Sequence, residues 1–394
     1  MTAVTTRWTV EPVPVPASLD APEAWAIHGG AAVRRAVELA RLGHDDLASR
    51  APEILTFLER QDYQRTAEVV ALPTTAPAHH PTVPEPRTTP PIPSPTSPAP
   101  RPDDVAGYAF ASMPTTSNPH LAYLGVEVHP ERRRQGVGAT LLAEVERIAV
   151  ADGRTVLISW TEQLGEPAAG DPDALRPPTG SGLVRATEPG VRMALAAGYE
   201  LEQAERYSVL HLPVDPARLA DLHDDAARRA GDAYRVHTWS GPTPPAFLAP
   251  MAVLHTRMST DAPTAGLDMD EDPWDEARVQ QADEKTTAAG KGSLTSAVEH
   301  VPTGELVAYS QLDFPLDRPE PVHQEDTLVL HAHRGHRLGM LAKTTQLIRL
   351  RDVRPEARRV HTWNAEENEH MLAINVALGF RPTGVVGMWQ KRLA

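Results

Sequence analysis

Cysteine is absent from this chain of 394 residues, which excludes disulfide bonds and thiolate zinc sites. No apolar run approaches the roughly 18 residues that a membrane span needs, so a soluble protein is expected. The opening residues, MTAVTTRWTVEPVPVP, lack a basic stretch followed by an apolar core, so no secretory signal is visible and a cytoplasmic location is the default expectation. Basic residues are in short supply too: 38 Lys and Arg stand against 52 Asp and Glu, a formal charge of −14. That balance argues against broad nucleic-acid binding, which needs a basic footprint, and mildly favours a cationic partner. What remains is an ordinary globular composition, 41% hydrophobic and 23% charged, on a chain long enough for two or three domains.

Residues 73–102 depart from that composition, with twelve prolines among Ala, Thr, Ser and His. Proline has no amide proton for a helix or strand ladder and biases the chain toward extended geometry, so an unpacked, disordered segment is expected. Its flanks, TAEVVALP before and VAGYAFASMP after, are rich in β-forming residues and read as two arms of one hairpin. The segment is therefore an insertion inside a domain rather than a linker between domains. Beyond it the order is strand (121–128), helix (139–152), strand (155–160), a Gly/Pro-rich stretch and a short helix ending near Gly198. Leu141, Leu142, Val145, Ile148 and Ala149 form one apolar stripe on the first of these helices, and Gly153 supplies its left-handed stop.

The second half repeats this plan. VAGYA at 105–109 matches LVAYS at 306–310, and Tyr108 precedes Arg133 by the same 25 residues that separate Tyr309 from Arg334. Each half continues with a strand, an Arg/Gly loop, a helix, a strand ending in Trp and a Gly-aromatic pair, Gly198-Tyr199 or Gly379-Phe380. On the second helix Met340, Leu341, Leu347 and Ile348 mark one apolar side. The same order at matched spacing implies two copies of one domain, 1–213 and 233–394, joined by a polar, helix-like connecting segment at 214–232.

The loop HPERRRQGVG follows the strand LAYLGVEV and opens a helix. Glycines at 136 and 138 let successive backbone amides turn inward, and these amides, the helix dipole and Arg133 or Arg134 together suit a pyrophosphate. A dinucleotide fingerprint would need a glycine where Leu141 stands, and a P-loop would need Gly-Lys-Ser/Thr, which Gly290-Lys291-Gly292 does not supply.

With Arg133, Gly136 and Gly138 in the pattern Arg/Gln-x-x-Gly-x-Gly/Ala, the sequence resembles the GNAT superfamily of N-acetyltransferases, in a tandem layout similar to that of the mycothiol synthase family. The resemblance covers both halves. It implies an α/β fold of two tandem domains, each a mixed, mostly antiparallel twisted sheet flanked by helices, and acetyl-coenzyme A as co-substrate without a metal. It further implies that Arg133, Arg134, Gln135, Gly136, Val137, Gly138 and Ala139 hold the coenzyme pyrophosphate. Strand edges Val126, Glu127 and Val128 in the first copy, and Leu328, Val329 and Leu330 in the second, would hydrogen-bond the pantetheine. In the second copy the loop is Arg334, Gly335, His336, Arg337, Leu338 and Gly339, so Arg337 replaces the first required glycine. That copy instead keeps Asn368, twelve residues before Phe380 as the family's coenzyme-contacting Asn is, with Asn364 as an assistant.

An amine acceptor must lose a proton before it attacks, and the leaving thiolate is helped by an acid. Glu127, at the end of the strand before the loop, is the candidate base, and Asp326 is its nearest counterpart in the second half. The tyrosine that many relatives use as acid is missing: its slots hold Ala194 and Asn375. His331, His333 and His336 lie among arginines that oppose cation binding, so no metal site is expected there. The acceptor would be a small-molecule or peptide amine, and neither nucleic acid nor membrane is an expected partner. A monomer or homodimer is expected. A non-catalytic coenzyme-binding scaffold and transfer of a longer acyl chain remain as alternatives.

Overall fold

The computed structural model describes residues 8–74 and 100–393. Most of the proline-rich insertion lies outside the described residues. The first half runs β1 (Trp8–Pro12), α1 (Trp25–Leu42), α2 (Ala51–Glu59), β2 (Gln64–Pro73), β3 (Gly107–Pro114), β4 (Leu121–Val128), α3 (Val137–Ala151), β5 (Val156–Leu164), a two-residue pair β6 (Ala174–Leu175) and β7 (Val184–Arg185), α4 (Pro189–Ala196) and β8 (Glu200–His211). α5 (Pro216–Ala230) connects it to β9 (Tyr234–Ser240), α6 (Leu248–Asp261), α7 (Glu276–Ala288), β10 (Lys291–His300), β11 (Glu305–Pro315), β12 (Pro321–Val329), α8 (Leu338–Val353), β13 (Arg359–Ala365), α9 (Glu369–Leu378) and β14 (Arg381–Arg392).

β2 and β3 pair antiparallel from Gln64↔Pro114 to Ala71↔Gly107, so the arms flanking the proline-rich segment do form one hairpin. Twelve strands make a single sheet in the order β1-β2-β3-β4-β5-β14-β8-β13-β12-β11-β10-β9. Its centre is an exchange. β14, the last strand, lies between β5 and β8 of the first half, and β8 lies between β14 and β13 of the second. Each half thus completes its sheet with a strand of the other. Trp389 of β14 is fully buried in the first half's core beside Leu157 and Val191, and its indole donates to Thr161 at 2.8 Å.

Only two contacts in the sheet are parallel, and both break off early. β4 pairs with β5 from Leu121↔Val156 to Leu124↔Ser159, after which the strands part; β12 pairs with β13 from Pro321↔Arg359 to His323↔His361 and then parts likewise. Each half therefore has a V-shaped gap whose arms carry backbone groups not spent on each other.

α3 follows the expected stripe, with Leu141, Leu142, Val145 and Ala149 buried. α8 does not. Gly339, Lys343, Thr344 and Gln346 are buried together with Met340, Leu341 and Leu347, while Ile348 is exposed. α5 packs against α8 while β10 and β11 pack against it too, so the helix is covered by more than the sheet and loses amphipathic character.

Candidate active site

A cavity of about 870 Å³ opens at the first V-shaped gap. Its walls are the free arms of β4 (Gly125 to Val128) and β5 (Trp160 to Leu164), the loop residues Arg133, Arg134, Gly136, Gly138 and Ala139, the start of α4, and one face of α1. The second half closes the far side with Lys291, Pro315, Arg318, His323 and Trp363. Strand alternation sorts the arms. Val126 and Val128 pack toward α3, while Glu127 faces α1 and meets Arg34 Nε at 3.0 Å. On β5 the residues on the α1 side are Trp160, against Phe110, and Glu162, which pairs with Arg41.

The loop before α3 has the backbone of an anion nest. Arg134 and Gly136 sit at φ of 60° and 88°, and Gly136 is the N-cap of α3 with open space where a Cβ would stand. Gly138 answers a different need: a Cβ there would come within 3.1 Å of the Met193 sulfur on α4. Arg133 Nε donates to the Val128 carbonyl at 3.3 Å, and Trp8 Nε1 holds the Gln135 carbonyl at 2.7 Å, so the last residue of β4 and the first strand fix the loop. Val137 is buried in the α3 core. Neither Arg133 nor Arg134 has a carboxylate partner among the described residues, which leaves both charges for a ligand. The donor set, the glycine cradle and the parted strands fit a pyrophosphate with an extended tail.

The second loop keeps the backbone and loses the availability. Gly335 and Arg337 take φ of 86° and 58°, Arg334 Nε donates to the Val329 carbonyl at 3.3 Å, and Gly339 lies under Ile374 of α9 as Gly138 lies under Met193. Yet Arg334 pairs with Asp261 at 3.2 Å, Arg337 pairs with Asp225, and Arg229 donates to the Gly335 carbonyl. Asp225 and Arg229 belong to α5. His336 rests against the Tyr234 ring, and Leu338 is buried beneath the loop. None of residues 334–339 lines the cavity.

Register sets the counterparts. Tyr108 stands opposite Glu127, whereas Tyr309 stands opposite Leu328, so the residue at the Glu127 position in the second half is Leu328. Val329 occupies the place of Val128, and Leu330, whose amide reaches Val307 as that of His129 reaches Ala106, occupies that of His129. Asp326 lies outside the cavity. It accepts the Tyr309 hydroxyl at 3.1 Å, and burial raises its pKa. Asn368 caps α9 by accepting from the Met371 amide, and Asn364 accepts from Asn375, which in turn accepts from Lys343 at 3.0 Å. Among the described residues no three His, Asp or Glu side chains are grouped to hold a metal.

The reading of the sequence missed α1. Arg34, Glu38 and Arg41 recur at four and three residues, the spacing of one helix face, and that face lines the cavity. It also missed the loop after α1. Asp46 accepts from Arg359 and lies 2.9 Å from His361 Nε2, whose Nδ1 lies 2.8 Å from the Tyr207 hydroxyl; burial would raise the Asp46 pKa, but these bonds hold it well below the usual range. Arg318 grips the carbonyls of Asp45 and Ala48. The second half thereby holds a wall of the first half's cavity.

Residues 64–170 match the Acetyltransferase (GNAT) family. No curated protein matches the chain at the sequence level. Among solved structures, the chain is similar to a tandem GNAT protein from the clavulanic acid biosynthesis pathway, at 21% identity and a TM-score of 0.67 with 98% of each chain covered. It is also similar to a GCN5-related N-acetyltransferase from Sphaerobacter thermophilus, at 14% identity and a TM-score of 0.54, covering 98% of this chain and 96% of that one. Residues 64–170 are thus similar to the GNAT acetyltransferases, and the chain shares its fold with a tandem GNAT protein over nearly its whole length.

Proposed function

We propose that the chain is an acyl-coenzyme-A-dependent N-acyltransferase, with acetyl-coenzyme A as donor and a small-molecule or peptide amine as acceptor, and that the first half holds the reacting site. The observation that carries this reading is the nest at Arg134 and Gly136, with two uncompensated arginines, opening directly into the V between β4 and β5. Arg133, Arg134 and the amides of Gln135 to Ala139 would bind the pyrophosphate. The free edge of Val126 to Val128 would orient the thioester, whose carbonyl the edge amides polarise without a metal. Glu127, Glu162 and Glu38 line the acceptor side and suit a cationic amine. We further propose a division at 1–213 and 233–394, with one strand traded each way, and a cytoplasmic site of action.

Gly136→Asp places a carboxylate in the nest. Acetyl-coenzyme A affinity should fall at least tenfold by isothermal titration, and an unchanged Kd would sink the assignment. A second reading, a coenzyme-binding scaffold, draws on Ala194 at the slot of the missing tyrosine acid. Thiol release from acetyl-coenzyme A across a panel of amines separates the two, because a scaffold binds coenzyme and releases none. A thiol with a pKa of about 8.5 is a tolerable leaving group without an acid beside it.

A further inference from the structure

α1 lays a charged stripe along the gap between β4 and β5, and each arm of the gap is tied to it by one arginine. Arg34 pairs with Glu127 on β4, and Arg41 pairs with Glu162 on β5. Glu38, one turn from both arginines, takes two hydrogen bonds from Arg41 Nη2 at 2.8 Å. The numbers do not match: three carboxylates face two guanidiniums. A surplus carboxylate withdrawn from water either gains a cation or gains a proton. Burial pushes Glu38 up to about 7 and raises Glu162 as well, each against the pull of Arg41. Glu127 makes the direct ion pair with Arg34, which lies over the Tyr108 ring and whose charge also reaches Glu162 and Glu68. Glu162 shares its arginine with Glu38, and its position is set from the other side by β14, where Val386 stands opposite it.

Resting on the acyltransferase reading above, we propose that Glu162 takes the proton from the acceptor ammonium, that Arg41 and Glu38 are its positioning residues, and that acceptors enter as cations. The ammonium fills the place of the missing third cation. It gives one proton to the Glu162 carboxylate, and the freed nitrogen pair forms the C–N bond to the thioester carbonyl carbon as the C–S bond breaks. The second nitrogen proton passes to the departing thiolate, and Glu162 returns its proton to water. The sum is ammonium plus acyl thioester giving amide, thiol and one proton. The charged or titratable groups facing Glu162 are Arg41, Glu38 and Arg34 of α1, Glu127 of β4 and Tyr207 of β8.

The test is the pH profile of kcat/KM for the full chain with acetyl-coenzyme A and the amine that gives most thiol release, beside calorimetric Kd values for acetyl-coenzyme A. Glu162→Gln should lower kcat/KM at pH 7 by about 100-fold or more and erase the acidic limb, with Kd within about twofold. Glu38→Gln should move the acidic limb to lower pH, because removing a neighbouring negative charge makes Glu162 easier to ionise. Glu162→Gln within about threefold of the parent, or a limb that survives it and disappears in Glu127→Gln, overturns the inference. If Glu162→Gln also loses acetyl-coenzyme A binding, the Glu38→Gln profile decides, and an unmoved limb overturns it. A parent chain that binds acetyl-coenzyme A and turns over no amine overturns the acyltransferase reading itself, a result distinct from an active parent that tolerates Glu162→Gln.

Discussion

Arg337 holds the left-handed backbone that Gly136 holds in the first half, at a strain of about 1 kcal/mol that glycine does not incur. Its pairing with Asp225 withdraws the guanidinium from any anion. Lys343 marks a second departure in the second half. It is buried in α8, bonded to Asn375 where relatives place the tyrosine, and burial lowers its pKa to about 7. The sign of the linkage follows. With a native pKa depressed below the unfolded value near 10.4, the native state bears the cost of a buried ammonium below about pH 7 and sheds it as pH rises. Unfolding free energy of the parent minus that of Lys343→Met should therefore increase by about 2 kcal/mol between pH 7 and pH 9 in urea titrations. A flat difference would show that Lys343 stays protonated in the native state at both pH values.

Among the elements, α5 and β14 decide most. α5 reads in the sequence as part of a polar connecting segment; in the structure it packs against α8 and sets Asp225 and Arg229 against the second loop. β14 reads as the closing strand of the second copy, yet it lies against β5 and buries Trp389 in the first half's core. Removing residues 381–394 exposes the edge of β5 and opens that core. Such a chain should lose the cooperative unfolding of the whole molecule, including the first half, in thermal melts followed by circular dichroism. A first half that melts unchanged would refute the exchange of strands as a source of stability. The α1 stripe belongs to the same scale: its 34, 38, 41 spacing was legible, but a charged helix face is usually solvated, and only the gap beneath it gives it a partner.

Across the whole molecule, two similar halves have unequal loops and one cavity that both build. One acetyl-coenzyme A per chain is the expected calorimetric stoichiometry, with Gly339→Asp leaving the affinity of that site within about twofold while Gly136→Asp abolishes it. Two equivalent sites per chain would contradict the inequality seen in the arginine pairings. The reaching of Arg318 and Arg359 to the loop after α1 makes the second half a wall of the first half's site. An isolated first half, lacking both that wall and β14, is accordingly expected to bind acetyl-coenzyme A poorly even where it stays in solution.

The sequence by itself determined the repeat, the strand–loop–helix order and the glycine loop before α3, because these depend on local spacing: glycines where the backbone turns left, apolar stripes along α3, the same 25-residue interval twice. It also marked Glu127, whose position beside the loop is a matter of a few residues. Tertiary structure decided the rest. Which loop keeps free charges depends on Asp225 and Asp261, distant in sequence from Arg337 and Arg334. Which strand completes which sheet depends on an exchange that local propensity cannot signal, since β8 and β14 look like ordinary strands either way. The charged face of the cavity, with Glu38 and Glu162 meeting at Arg41, comes from elements more than a hundred residues apart that touch only because α1 lies across the parted strands.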